Sequence, residues 1–242
     1  MNAHVRPADT APKDKIIRLH GHAFLADWSG ALYWPDEHML IVADLHLEKG
    51  SSYAARRVFL PPYDTTATLA ALALVVARLN PKRVVALGDS FHDNGGAARL
   101  LPHDRASLRA MQVGREWLWL AGNHDPSPHG LDGDHGCEHR VGLICFRHEP
   151  GERQSDGEIA GHLHPVARVG GRAGAVRRRC FVSDGIRLVM PAFGAYAGGL
   201  NVLDAAFAPL FAAGACRAHV LGRDAVYTVA PRQCLAEVSG YR

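Results

Sequence analysis

Met39-Leu-Ile-Val-Ala-Asp-Leu-His46 decides how this chain is read. An apolar run, Met39–Ala43, stops at Asp44, and a histidine follows two positions later. A short continuous apolar run is the signature of a strand buried on both faces. The same form recurs downstream. Arg83–Leu87 (RVVAL) stops at Gly88-Asp89, and Trp117–Ala121 (WLWLA) stops at Gly122-Asn123-His124-Asp125. Gly142–Phe146 (GLICF) delivers His148, and Glu158–Ala160 delivers Gly161-His162-Leu163-His164. Strand ends gather along one edge of a sheet, so polar residues far apart in sequence can meet there.

The intervening segments fit this frame. Ile16–Tyr33 reads as short strands with Gly and Asp turns. Pro61-Pro62 breaks the chain, and Asp64 then caps a helix carrying Leu69, Leu72, Val76 and Leu79 at helical spacing, stopped by Pro81. His103–Val113 reads as a second helix, and Pro126–Cys137, rich in Gly and Pro, as a variable loop. After Pro165 the helical signal fades. Val169–Val182, Gly185–Met190 and Ala218–Val229 read as strands and turns that complete a second sheet, giving an α/β sandwich. Met1–Asp14 is polar and rich in Pro and Ala, and reads as a flexible tail before a single domain spanning 15–242.

Composition sets the outer bounds. A chain of 242 residues, 48% hydrophobic and 21% charged, can bury its own core without cross-links. The longest apolar runs, such as Leu69–Ala77, fall far short of a membrane span, and no apolar leader follows the N-terminus. The five cysteines, Cys137, Cys145, Cys180, Cys216 and Cys234, are odd in number with no C-x-x-C pair. That argues against a disulfide framework or a structural zinc knuckle and points to a reducing, cytoplasmic setting. Charge is unevenly spread. Residues 166–242 hold ten Lys/Arg and four Asp/Glu, net +6, whereas 1–165 hold seventeen and twenty, net −3. The acidic excess coincides with the polar strand ends. The basic excess includes Arg177, Arg178 and Arg179, either a solvated face or a surface that follows a phosphate backbone.

The strand-end residues form a recognisable donor set: Asp44, His46, Asp89, Asn123, His148, His162 and His164. Carboxylate, carboxamide and imidazole together suit two neighbouring cations such as Mn, Fe or Zn. D-x-H alone is weak, being commonly a surface turn, whereas Gly122-Asn123-His124-Asp125 is the most specific single piece. In an extended segment Asp44 and His46 would share one face. Asp89 could bridge two cations through its two oxygens. Asn123 is a neutral ligand and the most specific choice in the set. His124 would point toward substrate, with Asp125 holding its tautomer. Asp93 is assigned a supporting role, and His92 either borders the substrate or lies on the rim. Lys49, Arg56, Arg57, His92 and Arg177–Arg179 are the candidates for contacting substrate phosphate. Phe193 and Tyr196, in a Gly-rich segment, read as packing under a loop.

Asp44–His164 resembles the motif series of the calcineurin-like metallophosphoesterases, with every ligand type present in order. That resemblance implies a double β-sheet sandwich flanked by helices, in four layers α-β-β-α. It also implies one metal on Asp44, His46, Asp89 and His164, and a second on Asp89, Asn123, His148 and His162. A narrower resemblance rests on LYWP, ADLHLEKGSSYA, LPPYDT, VALGDSFHD, AGNHDP, GEIAGHLHP, RRRCFV and RLVMPAFGAYAGGLNVLD, between Leu32 and Asp204. These phrases resemble the ligase-associated DNA damage response endonucleases of the PdeM family. The resemblance implies a manganese-dependent phosphodiesterase or endonuclease acting on DNA, single-stranded by expectation. It also implies a role in repair, in functional association with a DNA ligase and a helicase. Bottom-up, a phosphatase or phosphodiesterase for small molecules or nucleotides fits the same donors. A scaffold that has lost its chemistry fits poorly, because no ligand position is missing. In the chemistry expected, two cations about 3.5–4 Å apart acidify a shared water that attacks phosphorus, with His124 assisting the phosphate or the leaving oxygen.

Overall fold

A computed structural model of the chain describes residues 15–151, 156–171, 174–212 and 214–237. The segment read as a tail, residues 1–14, lies outside them. The first sheet keeps strands in sequence order: β1 (Lys15–Leu19), β2 (His22–Ala26), β3 (Leu32–Trp34), β4 (Met39–Val42), β5 (Arg83–Ala86), β6 (Glu116–Leu120) and β7 (Asp134–Gly136). β1 to β4 are antiparallel neighbours, and β4 to β7 are parallel. Parallel neighbours need crossovers. The first uses α1 (Lys49–Ala55) and α2 (Asp64–Leu79); the second uses α3 (Gly96–Arg99) and α4 (Pro102–Gln112).

The second sheet contains β8 (Glu138–Val141), β9 (Ile144–Arg147), β10 (Gly157–Ala160), β11 (Val166–Gly171), β12 (Gly174–Ser183), β13 (Arg187–Val189), β14 (Arg217–Leu221) and β15 (Val226–Val229). Its order is β15-β14-β12-β13-β10-β9-β8, with β11 paired to β12. β10 lies parallel to both β9 and β13, so this sheet too is mixed.

Strand alternation builds the layers. Ile41 and Val85 face the second sheet and pack with Phe146, Ile159, Phe181 and Leu188. Leu40, Val42, Val84 and Ala86 face the other way, onto Leu69, Leu72 and Val76 of α2 and Leu108 and Met111 of α4. All four residues of β4 are buried, as its unbroken apolar run predicts. The outer face of the second sheet, with Cys180, Val182, Ala218 and Val220, is covered by Val202, Phe207 and Phe211. That cover is a 3-10 turn, Ala205–Phe207, with irregular chain around it. The α-helices described all lie on the first sheet.

Two local expectations are corrected. Asp64 is the first residue inside α2, and its carboxylate accepts from the Gly50 backbone N–H, tying α1 to α2 rather than capping its own helix. The loop 126–137 contains β7, which adds to β6 and extends the first sheet. No helix among the described residues is long and apolar enough to cross a membrane.

Candidate metal centre

Every donor emerges where a central strand runs out. Past β4 and β5 the two loops travel side by side. The His46 N–H donates to the Asp89 carbonyl, Leu47 to Ser90, and His92 back to Leu47. The segment is not the pleated strand expected of D-x-H. Asp44 (φ 54°) and His46 (φ 44°) are left-handed, as are Asp89, His162 and His164. A left-handed non-glycine residue costs about 1–3 kcal/mol, and such strain persists where surrounding structure enforces it. Here it falls on the donors and turns their side chains to one point.

Two glycines make the convergence possible. Gly88 has φ 80°, and a Cβ there would meet the His148 ring at 2.7 Å. At Gly122 a Cβ would stand 2.1 Å from the Asp89 nitrogen and 2.2 Å from its Oδ1. The Gly-Asp and Gly-Asn pairs are therefore required by close approach of neighbouring strand ends.

The donors form two clusters. Asp44, His46 and His164 bring one ligand atom each within 4.8 Å of one another, and so do Asp89, His148 and His162. In the first, His164 Nε2 lies 3.2 Å from Asp44 Oδ1 and 3.3 Å from His46 Nε2. In the second, the Asn123 carboxamide oxygen is 2.9 Å from both His148 Nε2 and His162 Nδ1. Asp89 faces both, with Oδ1 3.4 Å from His148 Nε2 and Oδ2 3.8 Å from His46 Nε2. The structure thus brings together all seven sequence-predicted donors.

The donor chemistry fits cations. His148 Nδ1–H donates to the Leu87 carbonyl at 2.8 Å, which leaves Nε2 as a lone pair. That lone pair faces the oxygen of Asn123, itself an acceptor, an arrangement a positive ion between them would stabilise. Burial, reinforced by His164, His124 and His92, pushes His46 down to about 2, so it stays neutral and able to ligate. Burial and then His148 lower His162. For His164 burial works against the proton, but the hydrogen bond and charge of Asp44 outweigh it and raise the pKa.

His124 joins neither cluster of three around Asp44 or Asp89, but with His46 and His92 it forms a third group whose ring nitrogens lie within 4.8 Å of one another. Its backbone N–H donates to Asp89 Oδ1, and its ring Nδ1–H donates to the His92 carbonyl at 2.9 Å. Nε2 is left 4.0 Å from Asp89 Oδ2, on a side chain that is 37% exposed.

Asp125 is not the partner expected for His124. Its carboxylate is buried and accepts from the backbone N–H groups of Phe91 and Gly122. It fastens the Asp89 loop to the Asn123 loop, and the adjacent side chain of His124 points elsewhere. Burial raises Asp125 to about 6, opposed by the Phe91 hydrogen bond. Asp93 likewise does not support a donor: it accepts from Gly95 N–H and pairs with Arg99.

The phosphate-contact candidates separate. His92 belongs to the centre, stacked on His124 at 4.8 Å with Nδ1 3.5 Å from His46 Nδ1. Lys49 Nζ donates to the Tyr196 carbonyl, and its charge helps depress both His46 and His92. Arg56 and Arg57 are exposed at the far end of α1. The triplet after Val176 does not make one cationic face. Arg177 pairs with Glu237, and Arg178 is exposed. Arg179 turns inward and donates to the carbonyls of Ala192, Phe193 and Ser29, so it is a structural residue. Arg178 and Arg179 line a cleft with Trp28, Leu74 and Arg223 that contains none of the donors. Phe193 is buried in the core under α2, as expected of loop packing.

Sequence reasoning passed over Glu48 and Tyr53. Glu48 is buried, left-handed (φ 63°), and accepts from the hydroxyls of Ser51 and Thr65, fixing where α1 leaves the donors. Its place directly after the D-x-H-x motif was the available signal. The Tyr53 ring lies 5.5 Å from that of His92, one helical turn beyond Lys49.

Two mixed sheets whose strand ends surround paired His/Asp clusters are the framework of a metallophosphoesterase. The calcineurin-like phosphoesterase family model matches residues 38–188, and this chain belongs to that family. The crystal structure of Pseudomonas putida nuclease MPE is similar, with TM-score 0.70 and 27% identity, covering 90% of this chain and 100% of that one. The phosphoesterase Yfce from E. coli aligns at 16% identity and TM-score 0.41, covering 79% of this chain and 98% of that one. No curated protein matches. The chain is a phosphoric ester hydrolase of a family that binds divalent metals, with a nuclease as structural neighbour.

Proposed function

We propose that this chain is a metal-dependent DNA phosphodiesterase and endonuclease that cuts single strands during repair, with manganese as its metal. The observation that carries the reading is Asp89: one carboxylate oxygen faces each donor cluster, and the open Nε2 of His124 lies alongside. The nuclease neighbour favours a polynucleotide over a small ester. Manganese, repair, and partnership with a ligase and a helicase rest on the sequence resemblance.

In this reading Asp44, His46, Asp89 and His164 hold one cation, and Asp89, Asn123, His148 and His162 the other. The pair, when bound, supplies Lewis acidity and an acidified water. The protein's own groups do the rest. Asn123 completes its cluster without adding negative charge that would repel phosphate. The His92 carbonyl fixes the His124 ring so that a protonated Nε2 gives its proton to the leaving oxygen as the P–O bond breaks. General acid help of this kind is worth about 100- to 10,000-fold. Lys49 adds positive potential next to the approaching phosphate.

Circular single-stranded DNA with manganese tests the proposal, because a circle has no ends and any cut is internal. Cleavage by the wild-type protein and none by Asp89→Asn is the expected result. An intact circle, alongside turnover of a small phosphodiester, would restrict the enzyme to small substrates.

A further inference from the structure

Between α1 and α2 the chain reads Arg56-Arg57-Val58-Phe59-Leu60-Pro61-Pro62-Tyr63. Phe59 is 84% exposed and Tyr63 is 68% exposed, and Val58 between the cations and the rings is half in water. Isolated exposed apolar residues need no explanation, but two large rings beside two arginines in one short segment do.

The segment is held at both ends. Arg56 and Val58 donate backbone N–H bonds to the Tyr53 carbonyl, and Arg57 donates to Ala54, closing the end of α1. Arg57 takes a left-handed turn, φ 62°. At the other side Asp64 grips the Gly50 N–H and draws the start of α2 against α1. Pro61 and Pro62 stiffen the run between. The rings are presented on a braced loop.

The loop also belongs to the metal centre's surroundings. α1 starts three positions after His46 and, with seven residues at 1.5 Å each, extends about 10 Å outward. Along it Tyr53 touches His92, which stacks on His124. No carboxylate among the described residues pairs with Arg56 or Arg57, so both guanidinium groups are available to an anion.

Exposed cations next to exposed rings match one polymer. A single strand offers phosphates to the cations and unpaired bases to the aromatic faces, whereas a duplex keeps its bases stacked inside. We propose that Arg56–Tyr63 is a single-strand binding platform, in which Arg56 and Arg57 neutralise backbone phosphates and Phe59 and Tyr63 stack unpaired bases leading into the metal centre. The inference rests on the reading of the substrate as a polynucleotide, and it adds the residues that would select an unpaired strand.

Fluorescence anisotropy of a labelled, cleavage-resistant phosphorothioate oligothymidylate with the manganese-loaded full chain is the test. Phe59→Ala and Tyr63→Ala should each weaken binding about 5- to 150-fold, the range that base–aromatic stacking gives, with the same salt slope as wild type. Arg56→Ala with Arg57→Ala should instead flatten the log–log salt slope by about one to two. Thermal midpoints within about 1 °C of wild type would show that the exposed substitutions leave the fold intact. Wild-type binding that the ring variants retain overturns the platform alone and spares the nuclease reading. Sedimentation showing that Phe59→Ala dissolves a dimer, with oligonucleotide affinity unmoved, assigns the face to a second copy and also overturns it. A wild-type protein that turns over a small phosphodiester but binds no oligonucleotide removes both proposals.

Discussion

Gly122→Ala should disable the enzyme by adding one methyl group. The added Cβ would lie 2.1 Å from the Asp89 backbone nitrogen, 2.2 Å from its Oδ1 and 2.8 Å from Asp125 Oδ1. Ordinary contact begins near 3.4 Å, so the Asp89 nitrogen must retreat by 3.4 − 2.1, or 1.3 Å. The obstruction is backbone, which a rotamer change cannot relieve. Asp89 faces both donor clusters and also accepts the His124 N–H, so its displacement disturbs all three. A misplacement of about 1 Å can cost on the order of 100-fold in rate. Overpacking of this kind costs about 1–3 kcal/mol of stability. Bound manganese, measured by mass spectrometry, should fall below two ions per chain, and turnover of a chromogenic phosphodiester should drop by about 100-fold or more. Gly198→Ala is the control, since a Cβ there meets nothing within 4 Å. Full metal content and a wild-type rate for Gly122→Ala would refute the argument that this glycine exists to admit Asp89.

Three further outcomes are expected. His124→Ala should lose about 100- to 10,000-fold in turnover yet keep both metals, because its ring belongs to neither the Asp44–His46–His164 nor the Asp89–His148–His162 cluster and meets His46 only edge-on, at 5.1 Å; a metal-free crystal of that variant would refute a proton-donor role. Arg179→Met should lower the thermal midpoint by several degrees, since three backbone carbonyls lose their charged donor at about 1 kcal/mol or more each, whereas Arg178→Ala should leave it unmoved; equal midpoints would return Arg179 to the surface. His219, between Ser183 and Thr228, is held down to about 4 by burial, with Lys15 and Arg217 adding to it. An unfolded histidine binds its proton near 6.5, so the unfolded chain gains protons first as pH falls. The stabilising effect of the neutral imidazole is complete above about 6.5 and is lost toward pH 4, by about 3 kcal/mol. Urea midpoints followed from pH 7 to 4 should fall less steeply for His219→Gln than for wild type; parallel curves would show that His219 titrates freely.

The sequence alone carried the frame. Buried parallel strands must be apolar on both faces, so Met39–Val42 and Arg83–Ala86 could be read from composition over a few residues, and the donors directly after them could be read as one set. Position in sequence is enough for this because a strand's end is a one-dimensional event. Ligand chemistry adds the remainder, since carboxylates, a carboxamide and imidazoles in order leave few other uses.

Side-chain direction and partner choice needed the tertiary structure. Asp125 follows His124 immediately, yet the backbone turn sends it to Phe91 and Gly122 while His124 finds the His92 carbonyl. Arg177, Arg178 and Arg179 read as one basic run, but the nearby carbonyls of Ala192, Phe193 and Ser29 turn Arg179 inward. The left-handed geometry of Asp44 and His46 is imposed by hydrogen bonds to the neighbouring loop at Gly88 and Asp89. Such outcomes depend on which atoms other strands bring within about 3 Å, and hydrogen bonding and packing at that range have no counterpart in the order of residues along one chain.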